Sequence, residues 1–141
     1  MADDGSDFAR SMSIATSGLR AQAGRMRVIS ENIANADSTA PTAGGDPYRR
    51  KVPTFSSALD RTMDARVVTL GKVRPDQSAF RVKHEPSNPA ADAAGNVKYP
   101  NVNPLVEMTD MREAQRSYEA NLNIISATRR MIQRTLDILK A

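Results

Sequence analysis

The stretch FARSMSIATSGLRAQAGRMRVISENIANA, residues 8–36, decides the fold. Its positions Phe8, Met12, Ala15, Leu19, Gln22, Met26, Ile29, Ile33 and Ala36 advance by alternating steps of four and three, and only Gln22 is polar. That spacing forms one stripe on an α-helix, the a/d seam of a coiled coil kept for about four heptads. Ser6 or Asp7 suits the N-cap, and Asp37-Ser38-Thr39-Ala40-Pro41 stops the pattern. A helix over 7–36 is predicted.

The other end of the chain repeats the design. Met108, Met111, Gln115, Tyr118, Leu122, Ile125, Arg129, Ile132, Leu136 and Leu139 again step by three and four. A second stripe, Ile124, Thr128, Met131, Thr135 and Ile138, runs beside it and widens the apolar face. Asn103 followed by Pro104 reads as a cap and first turn, so a second helix is predicted over 104–140. At ~1.5 Å per residue each helix is roughly 45–55 Å long.

Residues 37–103 differ in character, holding all eight prolines except Pro104. Alternation through Arg66–Leu70 and Phe80–His84, with Arg74–Ser78 as a turn between them, predicts a β-hairpin. Tyr48 to Phe55 suits an added strand, confined to an edge by Pro53. Residues 86–104 read as extended loop. The expected fold is mainly α: long N- and C-terminal helices packed as a coiled-coil-like pair, with a small β-hairpin and extended loop inserted. The segments are an N-terminal core helix (1–36), a central insert (37–103) and a C-terminal core helix (104–141), the helices forming one discontinuous domain.

Composition narrows the function. Net charge is +4, but basic residues are scattered, and aromatics make up only 4%. A nucleic-acid surface concentrates charge and interleaves stacking rings, so Arg49-Arg50-Lys51 and Arg129-Arg130 read as solvated charge and no nucleic-acid partner is expected. Cysteine is absent and His84 is the sole histidine, which leaves no material for the usual zinc sites or nucleophilic triads. Glu107, Asp110 and Glu113 share a helix face, but acids in the first turns suit the positive end of the dipole. Gly44-Gly45-Asp46-Pro47 is a turn without the lysine of a phosphate loop. No catalytic residue, cofactor or metal is expected. No apolar run approaches the ~20 residues of a membrane span, and the acidic start Met1–Asp7 lacks the features of a secretory signal.

Two helices alone leave most of each cylinder wet, and the second C-terminal stripe has no partner in a simple pair. Gly18, Ala21 and Gly24 beside the N-terminal seam suit close approach of further helices. The reading is an assembly module completed by other subunits. The competing readings are a self-contained intramolecular bundle and, as a function, a cytoplasmic coiled-coil adaptor or basic nucleic-acid-binding protein.

Specific residues shift that balance. Ser17-Gly18-Leu19-Arg20-Ala21-Gln22, followed after six residues by Ile29-Ser30-Glu31-Asn32-Ile33-Ala34-Asn35-Ala36, resembles the N-terminal motif shared by flagellar rod and hook proteins. Glu31 stands where that motif has the first of two asparagines. Asn88 to Asn103, ending Tyr99-Pro100-Asn101-Val102-Asn103, is similar to the stretch before the C-terminal helix of proximal rod proteins. Glu107-Met108, Arg116-Ser117-Tyr118-Glu119-Ala120-Asn121 and Pro47-Tyr48-Arg49-Arg50-Lys51 resemble further segments of the family. Asn88, Asn96 and the loop 39–45 depart from its pattern.

The resemblance implies a structural, non-enzymatic subunit of the bacterial flagellar basal-body rod, assembling into a helical tube that spans the periplasm and transmits torque. It implies other copies of the chain and other rod proteins as partners, the membrane-ring protein at the rod base, and the type III export apparatus, with export lacking signal cleavage. Terminal helices disordered before assembly would fold at the growing tip. The expected assembly interface is Leu19, Met26, Ile29, Asn32, Ile33, Asn35, Tyr118, Leu122, Ile125, Ile132, Leu136 and Leu139. Asn32 and Asn35 would bridge backbone of an adjacent subunit or cap a helix end.

Overall fold

The computed structural model describes residues 4–140. Two long helices, α1 (Asp4–Ala34) and α2 (Pro104–Lys140), pack against each other, and short strands lie between them in sequence. Both helices fall within a few residues of the expected bounds, and the fold is mainly α as expected. At the start of α2, Asn103 Oδ1 accepts from the Leu105 N–H at 3.1 Å, and Asn103 O accepts from the Glu107 N–H at 3.1 Å. Among the described residues no helix is long and apolar enough to cross a membrane.

The strands pair differently from the expected hairpin. β1 (Lys51–Val52) pairs with β4 (Arg74–Pro75), β2 (Phe55–Asp60) with β3 (Ala65–Leu70), and β5 (Arg81–His84) with β6 (Asn96–Tyr99), all antiparallel. The two alternating segments are strands, as predicted, but each has another partner. β3 turns back on β2 because Asp60 Oδ1 accepts from the Thr62 N–H and hydroxyl, a local turn that brings the strands together. Asp64 completes it at φ 46°, a left-handed value that aspartate tolerates. Phe55–Asp60 has no β-branched residue and so carries little strand signal in the sequence. β6 lies inside the expected extended loop, where Val97 and Tyr99 on one face join Ala90 in a buried cluster.

The chain divides into two compact units, each drawing on both helices and on part of the insert. The first takes Met1–Met26, Thr54–Lys72 and Glu113–Ala141, the second Arg27–Pro53 and Val73–Arg112. In the first unit α1 and α2 run antiparallel. A Cβ on Gly18 would lie 2.8 Å from Asn121 Nδ2, and Arg25 reaches Glu113 at 3.4 Å one helical repeat further along. The β2–β3 hairpin leans on α1: the Val68 N–H donates to Ser17 Oγ at 3.1 Å, Arg10 donates to Met63 O at 2.9 Å, and Leu70 fills the space left by Gly24. Both glycines thus have the packing reason that their place inside a helix required.

Gln22 sits in the seam with Oε1 buried and no hydrogen-bond partner among the described residues. A buried, unpaired carbonyl costs roughly 1–3 kcal/mol. Gln22→Leu is therefore expected to stabilise the isolated chain by about 1 kcal/mol, seen as a higher urea midpoint with unchanged m-value. A lower midpoint would show that the amide is needed.

α2 follows its expected seam only in part. Met111, Tyr118, Ile125 and Ile132 are half-buried, but Met108, Gln115, Leu122 and Arg129 are exposed. Their places on the inner face are taken by Glu107, Ala114, Asn121 and Thr128, one position earlier in each heptad. Three of these four are polar, which is why hydropathy alone selected the wrong column. In the first unit the narrow groove against Gly18 favours small side chains there.

Candidate assembly interface and its buried support

The second unit contains a polar hub. Asn32, on α1, is fully enclosed (0% exposed), and so in effect is Glu107 on α2 (1%). The Asn32 amide nitrogen donates to Lys51 O at 2.8 Å and to Glu107 Oε2 at 3.1 Å. Its oxygen accepts from the Lys51 N–H at 2.9 Å and the Tyr48 hydroxyl at 2.8 Å. This asparagine thus serves both backbone groups of Lys51, as a neighbouring strand would. The expectation that Asn32 bridges another subunit is corrected: its hydrogen-bonding capacity is used within the chain.

Arg50 ties the hub together. Its Nε donates to Glu107 Oε1 at 2.6 Å, and its outer nitrogens lie 3.4 Å from Asp76 and 3.8 Å from Asp110. The Arg50 N–H donates to Asn101 Oδ1 at 2.8 Å, while the Asn101 amide reaches Asp76 O, Ser78 O and Ser78 Oγ. Arg49 donates to Asp76 O and Ser78 O and stacks 4.2 Å from the Phe80 ring centre. Lys51 pairs with Glu31. The basic run 49–51 is therefore a lock between elements, not solvated charge. Glu107 is likewise more than a dipole acid, since a buried carboxylate requires its hydrogen-bonded partner.

The motif residues 99–103 all serve this unit. The Tyr99 hydroxyl donates to Glu85 at 2.8 Å, Pro100 O accepts from Arg81 Nε at 3.1 Å, Val102 is buried, and Asn103 caps α2. Arg81 also donates to Ala36 O at 2.7 Å, just beyond the end of α1. Asn35 turns inward along its own helix to Glu31 O at 2.8 Å, the local capping alternative.

Electrostatics give the hub a pH dependence. The Ser78 N–H and hydroxyl, then Arg50, hold the Asp76 carboxyl below its ordinary range, and the Tyr99 hydroxyl and Asn88 do so for Glu85. A depressed carboxyl stabilises the fold above its unfolded value of about 4, and that contribution is lost as pH falls through the lower folded value. Burial, with Glu31 and Glu107 nearby, pushes the Tyr48 phenol up to about 12. Its contribution is complete below pH ~10 and lost as pH rises towards 12. Melting temperature is therefore expected to fall on acidification below pH ~4. Asp76→Asn should flatten that slope, and an unchanged slope would remove Asp76 as its source.

Of the expected interface residues, Leu19, Met26, Ile33, Tyr118, Ile125 and Ile132 are half-buried and Ile29 is buried. Leu122, Leu136 and Leu139 are exposed, Leu139 by 76%. Ile124, Met131 and Ile138, on the second stripe, are exposed as well. Sequence reasoning missed Arg50, Tyr48, Asp76 and Glu107 as one cluster. The available signal was an asparagine inside an apolar helix and an acid at the facing helix start, each needing a partner.

Residues 12–40 match the family described as flagella basal body rod protein, and residues 93–138 match the C-terminal part of flagellar basal body rod FlgEFG proteins. The chain is 54% identical to flagellar basal-body rod protein FlgC of Agrobacterium fabrum over 128 residues, covering 91% of this chain and 92% of that one. FlgC of Bacillus subtilis is 39% identical, with 92% and 97% covered, and FlgC of Aquifex aeolicus 36%, with 95% and 98% covered. The resemblance read from residues 17–36 and 99–103 is thereby confirmed: the chain belongs to the FlgC family of flagellar basal-body rod proteins.

Proposed function

We propose that this chain builds the proximal rod by burying the exposed apolar side chains of α2 against helices of other rod subunits and of further copies of itself. As a member of its family it is a structural component of the rod, not an enzyme. The observation that carries the finer reading is the set of large apolar side chains left exposed on α2 within the first unit: Ile124, Met131 and Ile138 at steps of seven, and Leu122, Leu136 and Leu139. Each large side chain of this kind contributes roughly 1.5–3 kcal/mol when covered. Steps of seven keep Ile124, Met131 and Ile138 on one stripe of the helix, and an exposed apolar stripe marks an interaction site.

The remaining roles follow the family reading. The subunits form a tube through the periplasm that transmits torque, with the membrane-ring protein at its base. They reach the growing tip through the type III export apparatus without signal cleavage, and ordering of the helix ends is coupled to assembly. The test is complementation. In a flagellated strain lacking its own FlgC, the chain should restore swimming and co-purify with hook–basal bodies. A stable, exported chain that restores neither would overturn the proposal.

A further inference from the structure

The basic run that closes the hub also borders an open groove in the second unit. The groove holds about 690 Å³ and is lined by Arg27, Glu31, Tyr48, Arg49, Lys51 and Val73 among others. Three of these are cations and one is an acid, and that acid, Glu31, is taken by Lys51. Arg49 donates to the neutral carbonyls of Asp76 and Ser78 and stacks on Phe80. Asp46, the acid nearest to it in sequence, is held by Lys98 at 2.9 Å. Arg27 is exposed, and among the described residues no carboxylate forms an ion pair with Arg27 or Arg49. The groove therefore carries an excess of positive charge, which attracts an acidic partner.

The chain itself contains such a segment. Asp3, Asp4 and Asp7 are its densest run of acids, three within five positions and no basic residue among them. Asp7 meets Arg10 at 3.4 Å in an open pair, its side chain 63% exposed. The next densest acids are engaged within the chain, Glu107 and Asp110 with Arg50, and Glu113 with Arg25.

We propose that this groove receives the acidic segment, residues 3–7, of a second copy of the chain. This rests on the assembly reading above and names one contact within it. The two patches are different, so each copy offers its groove to one neighbour and its acidic segment to another. Contacts of that head-to-tail kind build rings or open helices, whereas a self-complementary patch stops at a dimer. A helical tube needs the first kind. Exposed ion pairs add little binding energy, so the use of the contact lies in selection. Opposite charges speed the correct encounter, while groove against groove, or acid against acid, repels. Apolar burial is non-directional, and the charged contact gives it a direction.

Disulfide trapping in intact hook–basal bodies tests this, since the chain has no cysteine of its own. Gly5→Cys and Val73→Cys place one thiol beside each patch and leave every charge in place. A Cβ on Gly5 meets nothing within 4 Å, and Val73 is 40% exposed. On oxidation the doubly substituted chain is expected to run as a ladder of trimers and larger species, and either single variant as a dimer at most. Adding Arg27→Gln, then Arg27→Glu, should thin the ladder stepwise, the reversal by at least ~5-fold. A photo-reactive residue in place of Val73 should capture the N-terminal peptide of this chain. Capture of another rod protein or of lipid there, or a ladder indifferent to Arg27→Glu, would overturn the contact. The unaltered chain present in hook–basal bodies, with no ladder from the double variant, sinks the contact alone. Its absence from them sinks the assembly reading and the contact together.

Discussion

Leu136→Asp is expected to abolish swimming while leaving the isolated chain as stable as before. Leu136 is 45% exposed and lies in the last turns of α2, where its neighbours Ile138 and Leu139 are still more exposed. An exposed apolar side chain contributes little to a free chain, and surface substitutions of this kind usually stay within about 0.5 kcal/mol. In an assembled rod the same position would lose the ~1.5–3 kcal/mol of a covered leucine and would bury an unpaired carboxylate, which costs several kcal/mol more. The loss would recur at each subunit contact. Swimming-halo diameter in a strain lacking its own FlgC, read beside the urea midpoint of the purified variant, separates the two effects. Normal swimming by a secreted, stable variant would remove this end of α2 from the interface. A fall in midpoint would mean that Leu136 already packs within the chain.

Asn32→Ala is expected to destabilise the second unit by about 3 kcal/mol. The substitution removes four hydrogen bonds at once, to Lys51 N and O, to Tyr48 and to Glu107. Each contributes on the order of 0.5–1.5 kcal/mol net, and groups left unpaired in a closed site add their desolvation cost. Stabilities of whole domains are only about 5–15 kcal/mol, so the effect is a large share of what holds this unit. Asn32→Asp is nearly isosteric and should cost at least as much. It loses the donor to Lys51 O and sets a second carboxylate where the amide now lies 3.1 Å from Glu107. Chemical denaturation followed by tyrosine fluorescence reads this directly, since Tyr48 and Tyr99 lie in the unit and no tryptophan competes. A loss below ~1 kcal/mol for both variants would mean that water replaces the asparagine at little cost.

The two predictions address opposite kinds of residue, and the sequence treated them alike. Asn32 and Leu136 both lie on or beside a helical seam, which by spacing alone points each to a subunit interface. Their exposures separate them: one is sealed inside the chain, the other open to whatever covers it. The same separation runs through the motif residues. Tyr99, Pro100 and Val102 are buried and support the unit, so a family signature here marks internal construction as much as contact with partners.

Features that depend on local spacing and local chemistry are legible in the amino-acid order alone. The four-and-three step of apolar residues placed both helices, the Asn103-Pro104 pair marked the start of α2, and alternation marked β3 and β5. The family was legible too, because short motifs at residues 17–36 and 99–103 are fixed patterns of residue type. Strand pairing is set through space, since Phe55–Asp60 and Asn96–Tyr99 carry weak strand signals and their partners lie at variable distance along the chain. Which column of α2 faces α1 is likewise a matter of packing. Periodicity gives the repeat of a helix face but not its direction when a small or polar column fits the groove better than a large apolar one. Arg50, Glu107 and Asn32 meet for the same reason: the attraction between a buried carboxylate and a guanidinium acts through space, and residues 18 and 57 positions apart in sequence carry no local trace of it.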